Sequence, residues 1–198
     1  MNSLRSYCKP LGAVIILWAA IAQPLNAATY YWDADATAAG NNSLNGEGLG
    51  GTGSWDLSSF NWWDGANSPD VLWPNIVGAD TAVFSGSSGV VTLGSVMNAS
   101  AIQFNTSGYE IRGPGSINLG GFGLGAVNLG GAGSATAAFI SAKISGTNGL
   151  ALTGSGTLYL SNAGNDFSGG IDIGTGATLF AVSSDAVLGL GNDILFDG

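Results

Sequence analysis

The stretch that decides the fold is GLALTGSGTLYL, residues 149–160, in which apolar residues alternate with small or polar ones between glycines. GIDI, residues 170–173, and TL, residues 178–179, align with parts of it at a shift of 21 residues. Upstream, YEIRGPGSINL, residues 109–119, aligns with residues 150–160 at a shift of 41, close to two such units. Because a unit of about 20 residues cannot bury its own apolar face, the repeat predicts that units stack on one another.

This stacking predicts an all-β fold, a parallel β-solenoid without helices. Each coil would supply short strands that pair with their copies in the next coil about 4.8 Å away, while glycine and asparagine form the corners. The one helical candidate, residues 185–188, is too short to expect as a helix. The residues expected to point inward as apolar ladders are Tyr109, Ile111, Ile117, Leu119, Leu150, Leu152, Leu158, Leu160, Ile171, Ile173 and Leu179.

The composition excludes several kinds of chemistry. The 198 residues include 34 glycines, one cysteine and no histidine. Without histidine there is no Ser–His–Asp or Cys–His relay, no histidine-ligated zinc and no imidazole pH switch. The sequence predicts no cofactor, no metal site and no catalytic residues, and its length favours one domain.

Residues 1–27 have the pattern of a secretory signal peptide. Arg5 and Lys9 supply a positive start, an apolar run follows over 11–22, and cleavage is expected after Ala27, with Ala22 and Ala28 as alternative sites. The run is too short to span a bilayer, which needs about 20 apolar residues. The chain is therefore predicted to be secreted or on the bacterial cell surface, with no membrane span after cleavage. The alternative, a buried N-terminal helix, leaves the two basic residues unexplained.

Cleavage would leave a strongly acidic chain without a thiol. The removed segment carries Cys8, Arg5 and Lys9. Arg112 and Lys143 therefore remain as the only basic residues, against 13 acidic ones. Because phosphate binding needs clustered lysine and arginine, neither nucleic acid nor anionic membrane is an expected partner. An exported chain without disulfides must be stabilised by backbone pairing and packing.

All six tryptophans lie before residue 75, five of them after the predicted signal peptide and the sixth, Trp18, within it. Trp62 and Trp63 are the candidates for carbohydrate contact, because a flat aromatic platform can stack on sugar rings. The competing interpretation is that the large aromatics close the first coil, since a solenoid needs a cap over its open apolar end. Adjacent residues of an extended strand point to opposite faces, so at most one of the pair need be buried.

Three weaker patterns have plain structural alternatives. Asp166, Asp172, Asp185 and Asp193 are candidates for the paired carboxylates of a glycosidase, but Asp166 and Asp172 occupy turn-like or outward positions, and two basic side chains cannot hold an acidic polymer. The sequence DAD at 33–35 is not followed by glycine and glutamate at the positions that an EF-hand loop requires, and it is better explained as a turn. GEGLGG at 46–51 fits a dinucleotide pattern by count only, without a flanking strand and helix.

Residues 149–162 (GLALTGSGTLYLSN), 165–173 (NDFSGGIDI) and 176–179 (GATL) together resemble the autotransporter-associated β-strand repeat, also called the passenger-associated transport repeat. The pattern of that family runs roughly Gly-Leu, Gly-x-Gly-Thr-Leu-x-Leu-Ser, Asn-x-Tyr, x-Gly-Gly-Thr and Gly-Thr-Leu. The departures are Phe167 in place of tyrosine, Ile171 in place of threonine, and an inserted Ala177. The Trp-rich leading part is similar to the region that often precedes such repeats in large exported bacterial proteins.

The resemblance implies a right-handed parallel β-helix, exported as a non-enzymatic passenger segment with a structural or adhesive role. We expect an aromatic N-terminal cap and first strands over 28–75, then coils over 76–198 with a repeat of about 20 residues. Further coils or a membrane barrel are expected downstream if the chain is a fragment. Expected contacts are a surface or matrix polysaccharide, or the surface of a host or neighbouring cell. The alternative function is a carbohydrate-binding module or the non-catalytic part of a polysaccharide-active exported protein.

Overall fold

The computed structural model of the protein is a parallel β-solenoid, which confirms the predicted all-β class. The structure describes residues 27–66, 69–121, 123–130, 136–182 and 184–197. The predicted signal peptide, residues 1–27, lies outside these ranges except for its last residue. No helix within them is long and apolar enough to cross a membrane.

Short strands build the solenoid, and many of them end at glycine-, asparagine- or serine-rich turns, as the β-type runs of the sequence predict. The strands in chain order are β1 (Thr29–Trp32), β2 (Gly53–Trp55), β3 (Trp62–Trp63), β4 (Thr81–Phe84), β5 (Val90–Leu93), β6 (Val96–Ala99), β7 (Ala101–Phe104), β8 (Tyr109–Arg112), β9 (Ser116–Leu119), β10 (Gly125–Leu129), β11 (Ala137–Ile140), β12 (Lys143–Ser145), β13 (Leu150–Gly154), β14 (Thr157–Leu160), β15 (Ile171–Gly174), β16 (Thr178–Ala181) and β17 (Ile194–Asp197). In the described ranges, the one helical element is a turn of 3-10 helix at Asp185–Leu188, where the sequence offered its helical candidate.

The described strands form three sheets, one on each side of the coils. The first has the order β17-β15-β13-β10-β7-β4-β1-β3, the second β16-β14-β11-β8-β5-β2, and the third β12-β9-β6. Among these strands only β1 and β3 pair antiparallel. Successive coils are therefore stacked in parallel, and each strand inside a sheet is held by backbone hydrogen bonds to the coils before and after it.

The interior consists of apolar ladders in register. In the first sheet Ile102 pairs with Val127, Val127 with Leu152, and Leu152 with Ile173. Of the residues predicted to point inward, all are buried except Leu179, which is half-buried and packs against the same core. The alternation of inward and outward residues thus follows from the period of two of a strand.

The two repeat shifts have different outcomes. The shift of 21 is the true stacking register, because Leu150 pairs with Ile171 and Leu158 with Leu179. The shift of 41 is wrong as a stacking register: β8 and β13 belong to different sheets, and Ile111 pairs instead with Ile140. Both strands alternate and then turn at Gly-x-Gly, so the sequence pattern does not tell which side of the coil each one forms.

The last described coil leaves apolar surface open. Ile194, Leu195 and Phe196 of β17 are exposed, and Phe196 keeps 73% of its surface in contact with solvent. A cavity of about 310 Å³ beside them is lined mainly by apolar side chains, including Leu179 and Leu188. Among the described residues, β17 has a paired neighbour on one side only, and part of the core beside it is uncovered.

Candidate functional site

Trp62 lies in the middle of an aromatic cluster at the N-terminal end. Its ring centroid is 4.6 Å from that of Trp73, 5.0 Å from Trp55 and 5.3 Å from Trp32. Phe84 of the next coil packs against the cluster, with its ring centroid 5.8 Å from that of Trp62, and the Trp62 side chain is fully buried. The ring faces that a sugar would need are covered by other aromatic rings.

Trp63 points to the opposite face of β3 and is also buried. Its ring packs against Tyr31 with centroids 5.8 Å apart, and its indole Nε1 donates a hydrogen bond to the carbonyl oxygen of Ala66. The pairing of β3 with β1 sets Trp63 opposite Tyr31 and Trp62 opposite Trp32. The structure therefore buries both tryptophans, although the strand alternation required only one of them to be buried.

The same strand covers the edge of the first sheet. β3 adds to the free edge of β1 in the antiparallel direction, so that β1 has a hydrogen-bonded neighbour on each side. The indoles of Trp32 and Trp73 donate to the carbonyl oxygens of Gly51 and Asn98 at 2.9 and 3.0 Å. These tryptophans close the end of the solenoid against water and against edge-to-edge pairing.

Two buried carboxyl groups interact near the first sheet: Asp33, which follows β1, and Asp70, which comes after β3. Asp33 is fully buried, and Oδ2 accepts a hydrogen bond of 2.6 Å from Nδ2 of Asn41. Asp70 is 7% exposed, and no group of the described residues donates a hydrogen bond to either of its carboxyl oxygens. Burial, followed by the nearby charge of Asp33, raises the pKa of Asp70 to about 7, and burial also raises the pKa of Asp33. A proton on Asp70 would remove the repulsion between the two groups.

The glycine run at 46–51 is required by packing. A Cβ atom at Gly50, where φ is +97°, would lie 2.2 Å from the carbonyl oxygen of Ser87 and 2.5 Å from the hydroxyl of Tyr109. At Gly46 a Cβ would lie 2.5 Å from the backbone nitrogen of Gly86. The run lets two segments of backbone approach closely, which accounts for the glycines without a phosphate ligand.

Of the carboxylates considered for glycoside hydrolysis, Asp172 and Asp193 line one cavity of about 430 Å³, whereas Asp166 and Asp185 are not among its lining residues. Asp166 forms an ion pair with Lys143 at 2.6 Å, and this hydrogen bond lowers the pKa of Asp166. Asp172 lies in β15, whereas Asp185 begins the 3-10 helix. Within the described ranges, no three side chains of the usual acidic, cysteine or histidine ligands form a cluster suited to a metal ion.

Sequence reasoning missed an aromatic ladder on the outer face of the second sheet. Phe139, Tyr159 and Phe180 occupy paired positions of β11, β14 and β16. The rings of Phe139 and Tyr159 stack with centroids 4.7 Å apart and planes 15° apart, and the Phe180 ring follows at 5.3 Å. Phe139 is 40% exposed and Phe180 is 52% exposed. The signal was available, since the three aromatics are spaced by 20 and 21 residues.

A groove of about 510 Å³ runs beside this aromatic ladder. Phe139 and Tyr159 form one wall, Val90 and Glu110 continue the same column toward the N-terminal end, and Ser141 stands on the other side. The Ser141 hydroxyl donates to Oε1 of Glu110 at 2.8 Å. The groove thus combines aromatic rings, hydroxyl groups and one carboxylate on an accessible face of the solenoid, at a volume typical of ligand sites.

Comparison with known proteins links the chain to a bacterial adhesin. It is 39% identical over 162 residues to the Adhesin BmaC autotransporter of Brucella suis biovar 1 (strain 1330). The aligned region covers 80% of this chain but 4% of that relative, so the chain spans only a small part of the length of the protein that it matches. No protein-family model and no solved structure matches the chain. The chain is therefore similar, over most of its length, to a segment of an autotransporter adhesin.

Proposed function

We propose that this chain is an exported, non-enzymatic segment of an autotransporter-like surface protein, in which a stiff β-solenoid serves a structural or adhesive role. The observation that carries the proposal is the 39% identity with an autotransporter adhesin over 80% of the chain. The parallel coils support it, because such a rod can display one outer face over a long distance. The similarity of residues 149–179 to the passenger-associated transport repeat supports the same assignment.

The secretion route follows from the same proposal. Residues 1–27 act as the signal peptide, residues 28–75 supply the aromatic cap and first strands, and residues 76–198 supply the coils. An unfolded chain can cross the envelope and then add coil to coil, because each coil contacts only its neighbours. The buried tryptophan cap supports this division, since it offers the first complete coils a closed surface on which to stack.

The surface charge restricts the partners of the proposed adhesin. Lysine and arginine number 4 against 13 aspartate and glutamate residues, and the formal net charge is −9. Long-range repulsion disfavours nucleic acid and acidic polysaccharides. The contact is instead with a host cell, a neighbouring cell or a matrix surface that carries neutral or basic groups.

Surface display tests the proposal. The chain is presented on a non-adherent bacterium and the retention of cells on epithelial monolayers and matrix-coated plates is counted. A displayed control protein of similar size, detected by the same epitope tag, provides the baseline. Retention above this baseline at equal display supports an adhesive role. Retention equal to the baseline on every surface, or release of reducing sugar from matrix polysaccharides, contradicts it.

A further inference from the structure

We propose that the groove beside the aromatic ladder binds an arginine-bearing basic segment of a partner protein. This inference rests on the proposed adhesive function, because it names the chemical class of the surface that the solenoid would contact. The groove lies on the outer face of the second sheet, away from the buried tryptophan cluster. Nothing in the packing of the core requires its exposed aromatic rings.

The register of the second sheet places a carboxylate directly before the rings. Val90 pairs with Glu110, Glu110 with Phe139, and Phe139 with Tyr159, so these residues form one outward column. One face of the Phe139 ring is stacked on Tyr159. Phe139 is 40% exposed, and Glu110, its partner in the preceding coil, lines the groove on that side together with Gly108.

This arrangement suits a guanidinium group. Glu110 is drawn toward Ser141 by their hydrogen bond of 2.8 Å, and the carboxylate remains available as an acceptor from a second donor. A planar guanidinium can stack on the exposed part of the Phe139 ring and donate to Glu110 at the same time. The hydroxyl groups of Ser141 and Ser161 line the same groove and can accept further hydrogen bonds.

The charge of the protein favours a basic ligand over a sugar. The formal net charge of −9 attracts cationic segments and increases their rate of encounter. Among the described residues that line the groove there is no lysine or arginine; the basic residue nearest to it in the sheet register is Arg112, which follows Glu110 by two positions and is exposed. Because the rings of the aromatic ladder stack on one another, their faces are largely covered and mainly ring edges point outward. Ring edges are a poor platform for a row of sugar rings.

Titration with short peptides tests the proposal. A fluorescent hexapeptide of alternating arginine and glycine is added to the whole chain, and its anisotropy is followed at low salt. A peptide with glutamine in place of arginine is the uncharged control, and a neutral hexasaccharide is added as a competitor. We expect the arginine peptide to bind, the glutamine peptide to bind at least about tenfold more weakly, and high salt to weaken binding.

Matched variants locate the site. Glu110→Gln and Phe139→Ala are each expected to weaken peptide binding about three- to tenfold, as expected for loss of one ion pair or one cation–π contact. Phe139→Leu keeps apolar volume while removing the ring, so a folded variant is available if the alanine variant is unstable. Glu47→Gln and Phe60→Ala change an exposed carboxylate and an exposed aromatic elsewhere and should leave binding unchanged.

Two results would overturn the groove assignment. The first is that Glu110→Gln and Phe139→Leu bind the arginine peptide as tightly as the parent chain. The second is that the hexasaccharide displaces the peptide, which would make the groove a glycan site. Failure of the displayed chain to raise cell retention, with peptide binding intact, would instead reject the adhesive function alone. Retention that persists unchanged in both variants would keep that function and reject the groove.

Discussion

The two ends of the solenoid face the same physical problem and differ in how they meet it. At the N-terminal end, tryptophans at 32, 55, 62 and 73 fill the interior, and β3 covers the edge of β1. At the other end of the described chain, Ile194, Leu195 and Phe196 remain exposed beside an unpaired edge. Aromatic side chains bury about 150–250 Å² each, so a few of them can close a coil that aliphatic ladders leave open.

The two ends are expected to contribute differently to the stability of the fold and to contacts between molecules. The buried aromatic end should determine whether the solenoid folds, because its side chains contact one another and the next coil. The exposed end should affect contacts between molecules with little influence on folding. Substitutions at the two ends should therefore change different measurements.

Replacement at the centre of the aromatic cluster should have the largest effect. Trp62→Ala removes a fully buried ring that contacts three other tryptophans and Phe84. We expect the free energy of unfolding to fall by about 3–5 kcal/mol, measured by urea denaturation. Phe196→Ala at the exposed end should change it by less than about 0.5 kcal/mol. Equal losses at both ends would contradict the comparison.

Backbone contact under the cap predicts the next largest effect. Gly50→Ala would force a Cβ against the carbonyl oxygen of Ser87 and the hydroxyl of Tyr109, so we expect a loss of about 2–3 kcal/mol in stability. Gly40 has a similar positive φ of +93° but nothing within 4 Å of its added Cβ. Gly40→Ala should therefore show only the smaller backbone cost, about 1 kcal/mol. Matching losses in the two variants would show that packing beneath the cap is unimportant.

The buried Asp70 predicts a pH dependence of the same end. Its folded pKa of about 7 lies above the ordinary value of 3.8, so between these values the folded chain holds a proton that the unfolded chain has released. Stability should accordingly decline as pH rises from about 4 to about 7, by roughly 1–3 kcal/mol. Asp70→Asn should flatten this decline when unfolding is measured across the range. A decline of the same size in the variant would assign the effect to other groups.

The exposed end predicts association with little change in folding. The purified chain should self-associate through β17, and Phe196→Ser or Leu195→Ser should shift light scattering toward monomer. Unfolding midpoints of these variants should stay close to that of the parent, because both side chains are largely exposed. If the unaltered chain is a monodisperse monomer, the exposed edge of β17 does not drive self-association.

Most of the fold could be predicted from periodicity, whereas the surface site could not. Leu152 and Ile173 were expected to stack because their strands repeat at 21 residues, and they do. The shift of 41 failed because β8 and β13 share a local pattern on different sides of the coil. Burial of Trp63 depends on its contacts with Tyr31 and Ala66, which strand alternation does not reveal.

The aromatic ladder shows a limit of searching for similar strings. Tyr159 and Phe180 each follow a Thr-Leu pair that the shift of 21 already aligns, whereas Phe139 follows two alanines. The structure shows that all three aromatics share one outward column. Once the pairing of the coils is known, outward columns can be identified, such as the one that contains Glu110. An alignment based on glycine positions does not show them.

Disulfide trapping tests the stacking register most directly. In a Cys8→Ser background, Ala151→Cys with Asp172→Cys joins residues that pair between β13 and β15, whereas Glu110→Cys with Ala151→Cys joins residues related only by the shift of 41. Cysteines can form a bridge when their Cα atoms are about 4.4–6.8 Å apart. Mild oxidation should cross-link the first pair and leave the second free. Efficient cross-linking of the second pair with none in the first would contradict the coil stacking described above.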